Sequence, residues 1–543
     1  MLNQIIDRIE FVAAVMLSIA IVTFGIINCI SGEGIWQDEA SSLALAKMSF
    51  GELWSLLHLD SFPPLLHLTL KSMFWMGVSE SPMSLRIIGF CIWLIIVGLL
   101  WWRLRRQGGA PLASLVLFAS VPWMIRYGQS IRAYGLATIL GITLITFAWE
   151  YVRKPTWKNG LIVSVFGLLG THCLYQSSFL LASVCAGAAA VVCMRRSWKQ
   201  LTGIVAIAIP SALTIPAYFP VVSKGAASFR VFADKVIGPK ALIWGVVKTV
   251  STDMRMPAVW WLGFLAISFI VALRLFWQGT KEGVTTSPEL IHSPREFAVF
   301  SLVTAVSFSC SSMFVLWLTS AYVNPWHLLL WVGIIGALAD NMIVAGTPRL
   351  RPVVRLAIVS AAIVCVAGNL VTGWNALNRK YTSMDVVARV LERQASSNDF
   401  IIVYPWACGT SFNYYYRGLT PWATIPPLAD YRMHRSDLVL NAMRQPGAID
   451  PIEQEILRAL SRGGNVWLVG HFEDAEGTPL IKPVGLAHEP WLLYWSATVM
   501  ALLRAKATSV ELLHVPLKRP VNGMENPPLW VARGVLASAS PDR

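Results

Sequence analysis

The polar stretch 31–86 near the start of the chain holds the residues best suited to acid–base chemistry. It includes, in order, Asp38, Glu39, Asp60, Lys71 and Arg86. A carboxylate held beside a substrate can take the proton from an attacking hydroxyl, which raises a rate by about 10²–10⁴. Neighbouring helical residues point about 100° apart, so Asp38 and Glu39 are not expected to serve one centre equally. The simpler alternative is that Asp38 caps a helix over 40–47, with Glu39 in its first turn.

Cations and histidines recur at the ends of the apolar runs that follow. These residues are Arg126, Arg132, His172 and His327. Guanidinium groups bind phosphate oxygens with paired donors, and several on one face of a membrane would form a receptor for a phosphate at headgroup depth. They would also stabilise a phosphate leaving group as charge develops on it. The alternatives are that the arginines anchor helix ends and that the histidines are hydrogen-bonded structural residues.

The composition is that of a membrane protein. The 543 residues are 55% hydrophobic and 14% charged, whereas soluble domains carry about 25% charged residues. A crossing helix needs roughly 20 apolar residues, and about eleven such runs can be marked. The net charge of +14 does not indicate a nucleic-acid partner, because many cations lie in short loops beside apolar runs, as topology signals do. These loops are 103–106, 153–154, 195–196 and 349–351.

When the basic loops are placed on the cytoplasmic side of the membrane, the N-terminus is cytoplasmic and the loop 31–86 is external. The predicted spans are 11–30, 84–102, 110–125, 133–151, a two-helix hairpin with its outer turn at 171–175, 201–221, 258–277, 297–321, 326–345 and 353–374. The stretch 64–78 is short and contains His67 and Lys71, so we expect a helix that lies in the membrane interface. A true span there is the competing interpretation.

The composition changes at about residue 375. Helical patterns at 384–395 and 451–461 alternate with strand patterns at 400–404, 465–470, 510–515 and 530–535. This alternation predicts an extracytoplasmic α/β domain over 375–543, after a transmembrane catalytic domain over 1–374. The apolar run 491–503 is assigned to the core of this domain. No Cys/His cluster suggests a structural metal.

Several motifs resemble those of polytopic GT-C glycosyltransferases, in the bacterial branch that includes the lipid A aminoarabinose and galacturonic acid transferases, distant relatives of protein mannosyltransferases. The motifs are Trp36-Gln37-Asp38-Glu39-Ala40, Asp60 with Pro63-Pro64-Leu65, Ser84-Leu85-Arg86, Tyr127-Gly128-Gln129-Ser130-Ile131-Arg132-Ala133-Tyr134 and Thr171-His172. The chain departs from the branch at Phe62, Ser130 and Ala133, where many relatives have His, Glu and Pro. No metal ligand or particular sugar is therefore carried over.

The resemblance implies an enzyme of the bacterial inner membrane that takes a sugar from a polyprenyl-phosphate carrier at the outer face. The acceptor would be a hydroxyl or phosphate of a cell-envelope lipid or glycan, as in lipopolysaccharide modification, and the anomeric centre would be inverted. By the same likeness, Asp38 is the base or the carboxylate that orients the acceptor, Arg132 binds the carrier phosphate, and Tyr134 belongs to the substrate site. No cofactor is assigned, and a divalent metal requirement is left open.

Two other functions compete with this interpretation. A transporter or lipid flippase is expected to carry charged residues or broken helices near the bilayer midplane, often with inverted repeats. Here the ionisable residues collect at the predicted outer surface, and no repeat is visible. A polymerase or ligase that transfers whole oligosaccharides could use the same carboxylate and arginines, so the sequence does not separate it from a single-sugar transferase.

Overall fold

A computed structural model describes residues 2–60, 62–230, 238–251, 255–278, 294–318, 324–346, 350, 352–473 and 480–534. Of the predicted basic loop 349–351, only Leu350 lies within these residues. The first helices are α1 (Leu2–Ser31), α2 (Gln37–Lys47), α3 (Phe50–Leu56), α4 (Leu65–Trp75), α5 (Pro82–Arg105), α6 (Leu112–Ser120), α7 (Pro122–Gly128), α8 (Ala133–Arg153) and α9 (Trp157–Cys173). They are followed by α10 (Gln176–Met194), α11 (Trp198–Thr214), α12 (Phe219–Arg230), α13 (Pro239–Ser251), α14 (Arg255–Gln278), α15 (Pro294–Leu318), α16 (Pro325–Gly346) and α17 (Pro352–Leu377).

The described residues contain eight segments that are long and apolar enough to cross a membrane. They are α1, α5, α8, α10, α15, α16, α17 and the segment 198–226. This last segment contains α11 and the first part of α12. The protein is therefore a multi-pass membrane protein. The predicted span 110–125 is divided into α6 and α7 at Val121, which is extended (φ −114°, ψ 92°). The following Pro122 causes this break, because proline disfavours the helical conformation of the residue before it. The total of eleven spans remains a prediction.

The helix α4 occupies the stretch for which an interfacial helix is predicted. It has 11 residues, so it is about 16 Å long, and the hydrocarbon core of a bilayer is about 30 Å thick. This helix is too short to be a span. At its end, Trp75 is 89% exposed, and tryptophan is a common residue of the membrane interface.

The C-terminal part forms one five-stranded sheet with helices on both faces. The strands are β1 (Phe400–Val403), β2 (Trp422–Thr424), β3 (Val466–Val469), β4 (Ser509–Leu513) and β5 (Leu529–Arg533), in the order β2-β1-β3-β5-β4. The strand β1 is parallel to β2 and β3, whereas β5 is antiparallel to β3 and β4. The helices are α18 (Met384–Gln394), α19 (Cys408–Tyr415), α20 (Ser436–Met443), α21 (Asp450–Ser461) and α22 (His488–Lys506).

The burial of β1 and β3 agrees with the helices on both faces of this sheet. Every residue of β1 and β3 is buried, as is typical of parallel strands between two helical layers. One face packs against α21 and α22, and the other against α18 and α19. The predicted run 491–503 lies in α22, and its Trp495 and Leu503 belong to the core of this domain. The short strand β2 was not expected.

The end of α1, the loop that follows it and the start of α2 contact the C-terminal domain. The Tyr415 hydroxyl is hydrogen-bonded to the Ile35 N–H, and the Arg519 Nη1 donates to the Ile30 carbonyl at 3.1 Å. The backbone N–H of Gln37, the first residue of α2, donates to the Glu525 carboxyl at 3.0 Å. The C-terminal domain therefore helps to hold α2, which carries the predicted acids.

Candidate active site

The adjacent acids of α2 point into different surroundings, as their helical spacing predicts. Both lie in the first turn of α2. The Glu39 side chain is 0% exposed and the Asp38 side chain 21% exposed. The Glu39 oxygens accept two hydrogen bonds of 2.6 Å from Arg86, and Oε1 also accepts one of 2.8 Å from the Ile131 N–H. Glu39 therefore joins α2 to α5 and to the segment before α8.

Arg86 is fully engaged in holding the loop after α1. Besides Glu39, its Nε donates to the Gly32 carbonyl at 2.8 Å, and its Nη2 is hydrogen-bonded to the Gly34 carbonyl. Gly34 has a φ of +94°, a conformation that glycine adopts without strain. The Tyr381 ring lies 4.0 Å from the Arg86 guanidinium. Through these bonds to Gly32, Gly34 and Glu39, Arg86 fixes the conformation of the loop after α1.

Arg132 lies at the centre of a polar cluster in front of α8. Its Nη1 donates to the Asp38 carbonyl at 3.0 Å and to the Ser42 hydroxyl at 2.7 Å. Its Nη2 donates to Asp60 Oδ1 at 3.1 Å and lies 4.0 Å from Asp38 Oδ2. Burial lowers the pKa of Arg132, but the nearby carboxylates of Asp60 and Asp38 outweigh this effect and raise it. The guanidinium therefore remains a fixed positive charge.

Asp60 links this cluster to α4. Its Oδ2 lies 2.9 Å from His67 Nε2, and both side chains are almost fully buried. The Phe62 ring, two residues along, lies 4.2 Å from the Arg132 guanidinium and packs edge-on against Tyr134 at 5.2 Å. The aromatic rings and the Asp60 carboxylate thus fix the position of Arg132.

Asp38 is the acid of this cluster whose carboxylate stays open. Within the described residues, no hydrogen-bond donor reaches either of its carboxylate oxygens. Two titratable side chains lie near it: Arg132, 4.0 Å from Oδ2, and His434 of the C-terminal domain, whose Nδ1 lies 3.7 Å from Oδ1. A carboxylate with free lone pairs and a cation alongside can accept a proton from a substrate.

The remaining predicted residues have partners outside this cluster. The Arg126 Nη2 donates to the Ala376 carbonyl at 2.6 Å, and its guanidinium lies 4.9 Å from the Tyr381 ring. The Lys71 Nζ donates to the Met48 carbonyl at 2.7 Å. A ring nitrogen of His172 is hydrogen-bonded to the Tyr218 hydroxyl, and His327 Nδ1 accepts from the Asn324 N–H at 3.4 Å. The structure therefore unites six of the predicted residues: Asp38, Glu39, Asp60, Arg86, Arg132 and Tyr134.

Two groups at the site were not expected from the sequence, His434 and Glu525. Glu525 is 1% exposed and accepts hydrogen bonds from Gln37 and Ser411. Both lie in irregular segments of the C-terminal domain, where no periodicity marks a residue as pointing towards the membrane domain. In the sequence, these two residues could be noticed only by their chemical type, as a histidine and a glutamate in loops.

The donor set of the cluster does not fit a metal ion. In the part of the chain that the structure describes, no three His, Cys, Asp or Glu side chains are grouped as metal ligands. The Arg132 guanidinium lies between the carboxylates of Asp38 and Asp60. A cation bound to both carboxylates would be repelled by this fixed positive charge.

A cavity of about 300 Å³ lies between α2, α3 and the C-terminal domain. Charged residues of both domains line it: Lys47, Glu52, Arg417 and Arg432. Lys47 forms an ion pair with Glu80, and Arg432 forms one with Glu52 at 3.0 Å. The α2 residues in its wall, such as Ala40 and Ala44, belong to the opposite face of that helix from Asp38 and Ser42.

The sequence matches no known family model and no curated protein. The fold is similar to that of ArnT from Cupriavidus metallidurans in two crystal structures. The structure bound to undecaprenyl phosphate gives a TM-score of 0.51 at 11% identity, over 97% of this chain and 99% of that one. The apo structure gives 0.51 at 10% identity, over 98% and 100% of the two chains. The predicted fold, a polytopic helical membrane domain of the GT-C type followed by a C-terminal α/β domain, is confirmed.

Proposed function

We propose that the protein is a membrane glycosyltransferase that moves a sugar from a polyprenyl-phosphate donor to a lipid or glycan acceptor, with inversion. One observation carries the proposal: the open carboxylate of Asp38 lies beside the fixed cation Arg132. The shared fold supports it, since one of the similar ArnT structures holds undecaprenyl phosphate. The reaction would take place at the outer face of the bacterial inner membrane, on the side of the C-terminal domain.

Asp38 would act as the general base. The acceptor oxygen attacks the anomeric carbon from the face opposite the phosphate, and its proton passes to a carboxylate oxygen of Asp38. The bond from the anomeric carbon to the phosphate oxygen breaks, and its electron pair remains on the phosphate. Attack from the opposite face inverts the anomeric centre. A phosphate leaves readily, so cations matter more to its departure than an acid does.

Arg132 and Arg126 are the proposed ligands of the carrier phosphate. Arg132 has a buried Nε without a partner among the described residues, and its charge is fixed beside Asp38. Arg126 uses Nη2 for the Ala376 carbonyl. Within the described part of the chain, this leaves Nε and Nη1 for the paired contact that a phosphate accepts. Lys71, His172 and His327 would assist binding only after leaving their present partners. Arg86 and Glu39 would hold the loop.

The proposal is tested in two stages. Mass spectrometry of envelope lipids and glycans from cells with the wild-type protein or the Asp38→Asn variant would identify the sugar and its acceptor. Transfer from the matching undecaprenyl-phosphate sugar is then measured with purified protein in vesicles. We expect Asp38→Asn to reduce the rate by about 10²–10⁴, whereas Glu52→Gln, at the cavity on the other face of α2, retains activity. Undiminished transfer by Asp38→Asn would refute the role of Asp38 as base.

A further inference from the structure

The C-terminal domain places one imidazole beside the carboxylate of Asp38. His434 lies between β2 and α20, and its Nδ1 is 3.7 Å from Asp38 Oδ1. This distance is longer than a hydrogen bond. The other ring nitrogen, Nε2, is buried and has no hydrogen-bond partner among the described residues. A buried polar atom without a partner destabilises the fold, so its presence at a candidate active site points to a function.

Aromatic packing holds the ring of His434 in place. The Trp406 ring lies edge-on to it, with 5.9 Å between the ring centroids. Trp406 is itself fixed, because its Nε1 donates to His488 Nε2 at 2.9 Å. The imidazole is thus positioned by its edge-on contact with Trp406, and Nδ1 remains available for proton exchange with Asp38.

The charged groups around His434 come from three segments of the membrane domain. They are Asp38 on α2, Asp60 before α4 and Arg132 before α8. Burial lowers the pKa of His434, Asp38 opposes this change, and Arg132 adds to it, so the pKa lies below its ordinary value of 6.5. The ring is therefore neutral at pH 7. In the tautomer that carries its hydrogen on Nε2, Nδ1 has a free lone pair 3.7 Å from Asp38 Oδ1.

We propose that His434 and Asp38 act as a pair that accepts and then releases the proton of the acceptor hydroxyl. This inference rests on the proposed glycosyl transfer. As the acceptor oxygen bonds to the anomeric carbon, its proton moves to Asp38, and the phosphate leaves with the electron pair of the broken bond. The resulting carboxylic acid of Asp38 passes the proton to Nδ1 of His434. The imidazolium then releases this proton from Nδ1 to solvent, because Nε2 is buried, whereas solvent reaches 22% of the His434 side chain.

This step returns Asp38 to its ionised form within the same turnover. The imidazolium is stabilised beside the regenerated carboxylate, because opposite charges attract strongly where water is partly excluded. No oxidant, reductant or additional co-reactant is needed. The C-terminal domain therefore completes the reacting centre as well as covering it.

The test compares the wild-type protein with His434→Gln in vesicles that contain the undecaprenyl-phosphate sugar and acceptor identified for the wild type. We expect kcat to fall by about 10²-fold, while KM for the donor and the thermal midpoint stay close to their wild-type values. The wild-type rate should decrease as the pH falls and His434 becomes protonated. In the variant, this part of the pH profile should be absent. His514→Gln, at an exposed position of the same domain, serves as the matched control and keeps the wild-type profile.

A second variant keeps the inference testable if glutamine disturbs the packing. His434→Ala leaves room for a free imidazole, and added imidazole should restore part of the lost rate in a concentration-dependent way. Wild-type kcat and an unchanged pH profile in His434→Gln would overturn the inference and leave the glycosyltransferase function intact. If the wild-type protein transfers no sugar and Asp38→Asn behaves in the same way, both the glycosyltransferase function and the inference about His434 are overturned.

Discussion

Glu39 and Arg86 form a buried ion pair with two parallel hydrogen bonds, each of 2.6 Å. The Glu39 side chain is 0% exposed and the Arg86 side chain 1% exposed. The pair joins α2 to α5 across the loop that precedes Asp38. Asp38, the residue before Glu39, has an open carboxylate at the surface of the same helix. Of the two adjacent acids, one therefore holds the helix and the other is free to react.

We expect Glu39→Gln to destabilise the protein. The amide cannot balance the charge of Arg86, and breaking a buried ion pair from one side costs about 3–5 kcal/mol. The measurement is the thermal midpoint of the purified protein in detergent. Asp38→Asn is the matched control, because Asp38 accepts no side-chain hydrogen bond among the described residues, and its midpoint should stay near that of the wild type. Equal midpoints for Glu39→Gln and the wild type would contradict this account.

Arg132→Lys should reduce transfer without unfolding the protein. A lysine keeps the charge, but its single nitrogen cannot contact the Asp38 carbonyl, Ser42 and Asp60 together as the guanidinium does. We expect kcat/KM to decrease by about 10²-fold, the size of loss that follows a small displacement of a catalytic group. Arg444→Lys, at an exposed position of the C-terminal domain, provides the control. Unchanged kinetics in Arg132→Lys would show that the three contacts do not position Asp38.

Glu525 should make the stability depend on pH. Burial raises the pKa of Glu525 to about 8, compared with 4.5 as the ordinary value. The hydrogen bonds from Ser411 and Gln37 lower this pKa, and the charge of Asp38 raises it. Between pH 4.5 and 8, the folded protein keeps a proton that the unfolded chain has released, so the free energy of unfolding decreases as the pH rises.

Glu525→Gln removes this ionisation while it keeps nearly the same shape. The difference in thermal midpoint, variant minus wild type, should therefore grow steadily from pH 5 to pH 8. Midpoints are measured for both proteins in the same detergent at constant ionic strength. Parallel pH dependences would mean that the Glu525 carboxyl ionises at its ordinary pKa in the folded protein.

Cysteine labelling tests the proposed orientation. Leu419, in the C-terminal domain, is 94% exposed, and Trp198, beside the basic pair 195–196, is 75% exposed. A membrane-impermeant maleimide should label Leu419→Cys in intact spheroplasts and Trp198→Cys only after the membrane is permeabilised. The reverse pattern would place the C-terminal domain in the cytoplasm and refute the proposed orientation.

The sequence was sufficient to predict long apolar helices and part of the polar cluster beside them. Six of the ten predicted site residues lie together, whereas Lys71, Arg126, His172 and His327 have other partners. Apolar runs of helix length predict long helices, and the break at Val121 can be read from the proline that follows it. Asp38 and Arg132 lie at the external ends of their predicted elements, and the structure places their charged groups 4.0 Å apart. The helical spacing of Asp38 and Glu39 also predicted that they diverge, although not which one would be buried.

The contributions of the C-terminal domain could not be predicted in the same way. His434 and Glu525 come from loops that lie hundreds of positions away from Asp38, and loop residues carry no periodic signal of their direction. The strand β2 has three residues, too few for an alternation to show. The partners of Arg132 were also hidden, because a guanidinium near a membrane surface can equally bind lipid, substrate or protein.

The hydrogen bond between Gln37 and Glu525 joins residues that are 488 positions apart. Synthesis proceeds from the N-terminus, so α2 is made long before the loops that hold it and face Asp38. Under the proposed function, a nascent or truncated chain inserts its membrane helices but cannot yet catalyse. The proposed activity would begin only after the segments that carry His434 and Glu525 have been synthesised and have packed against α2.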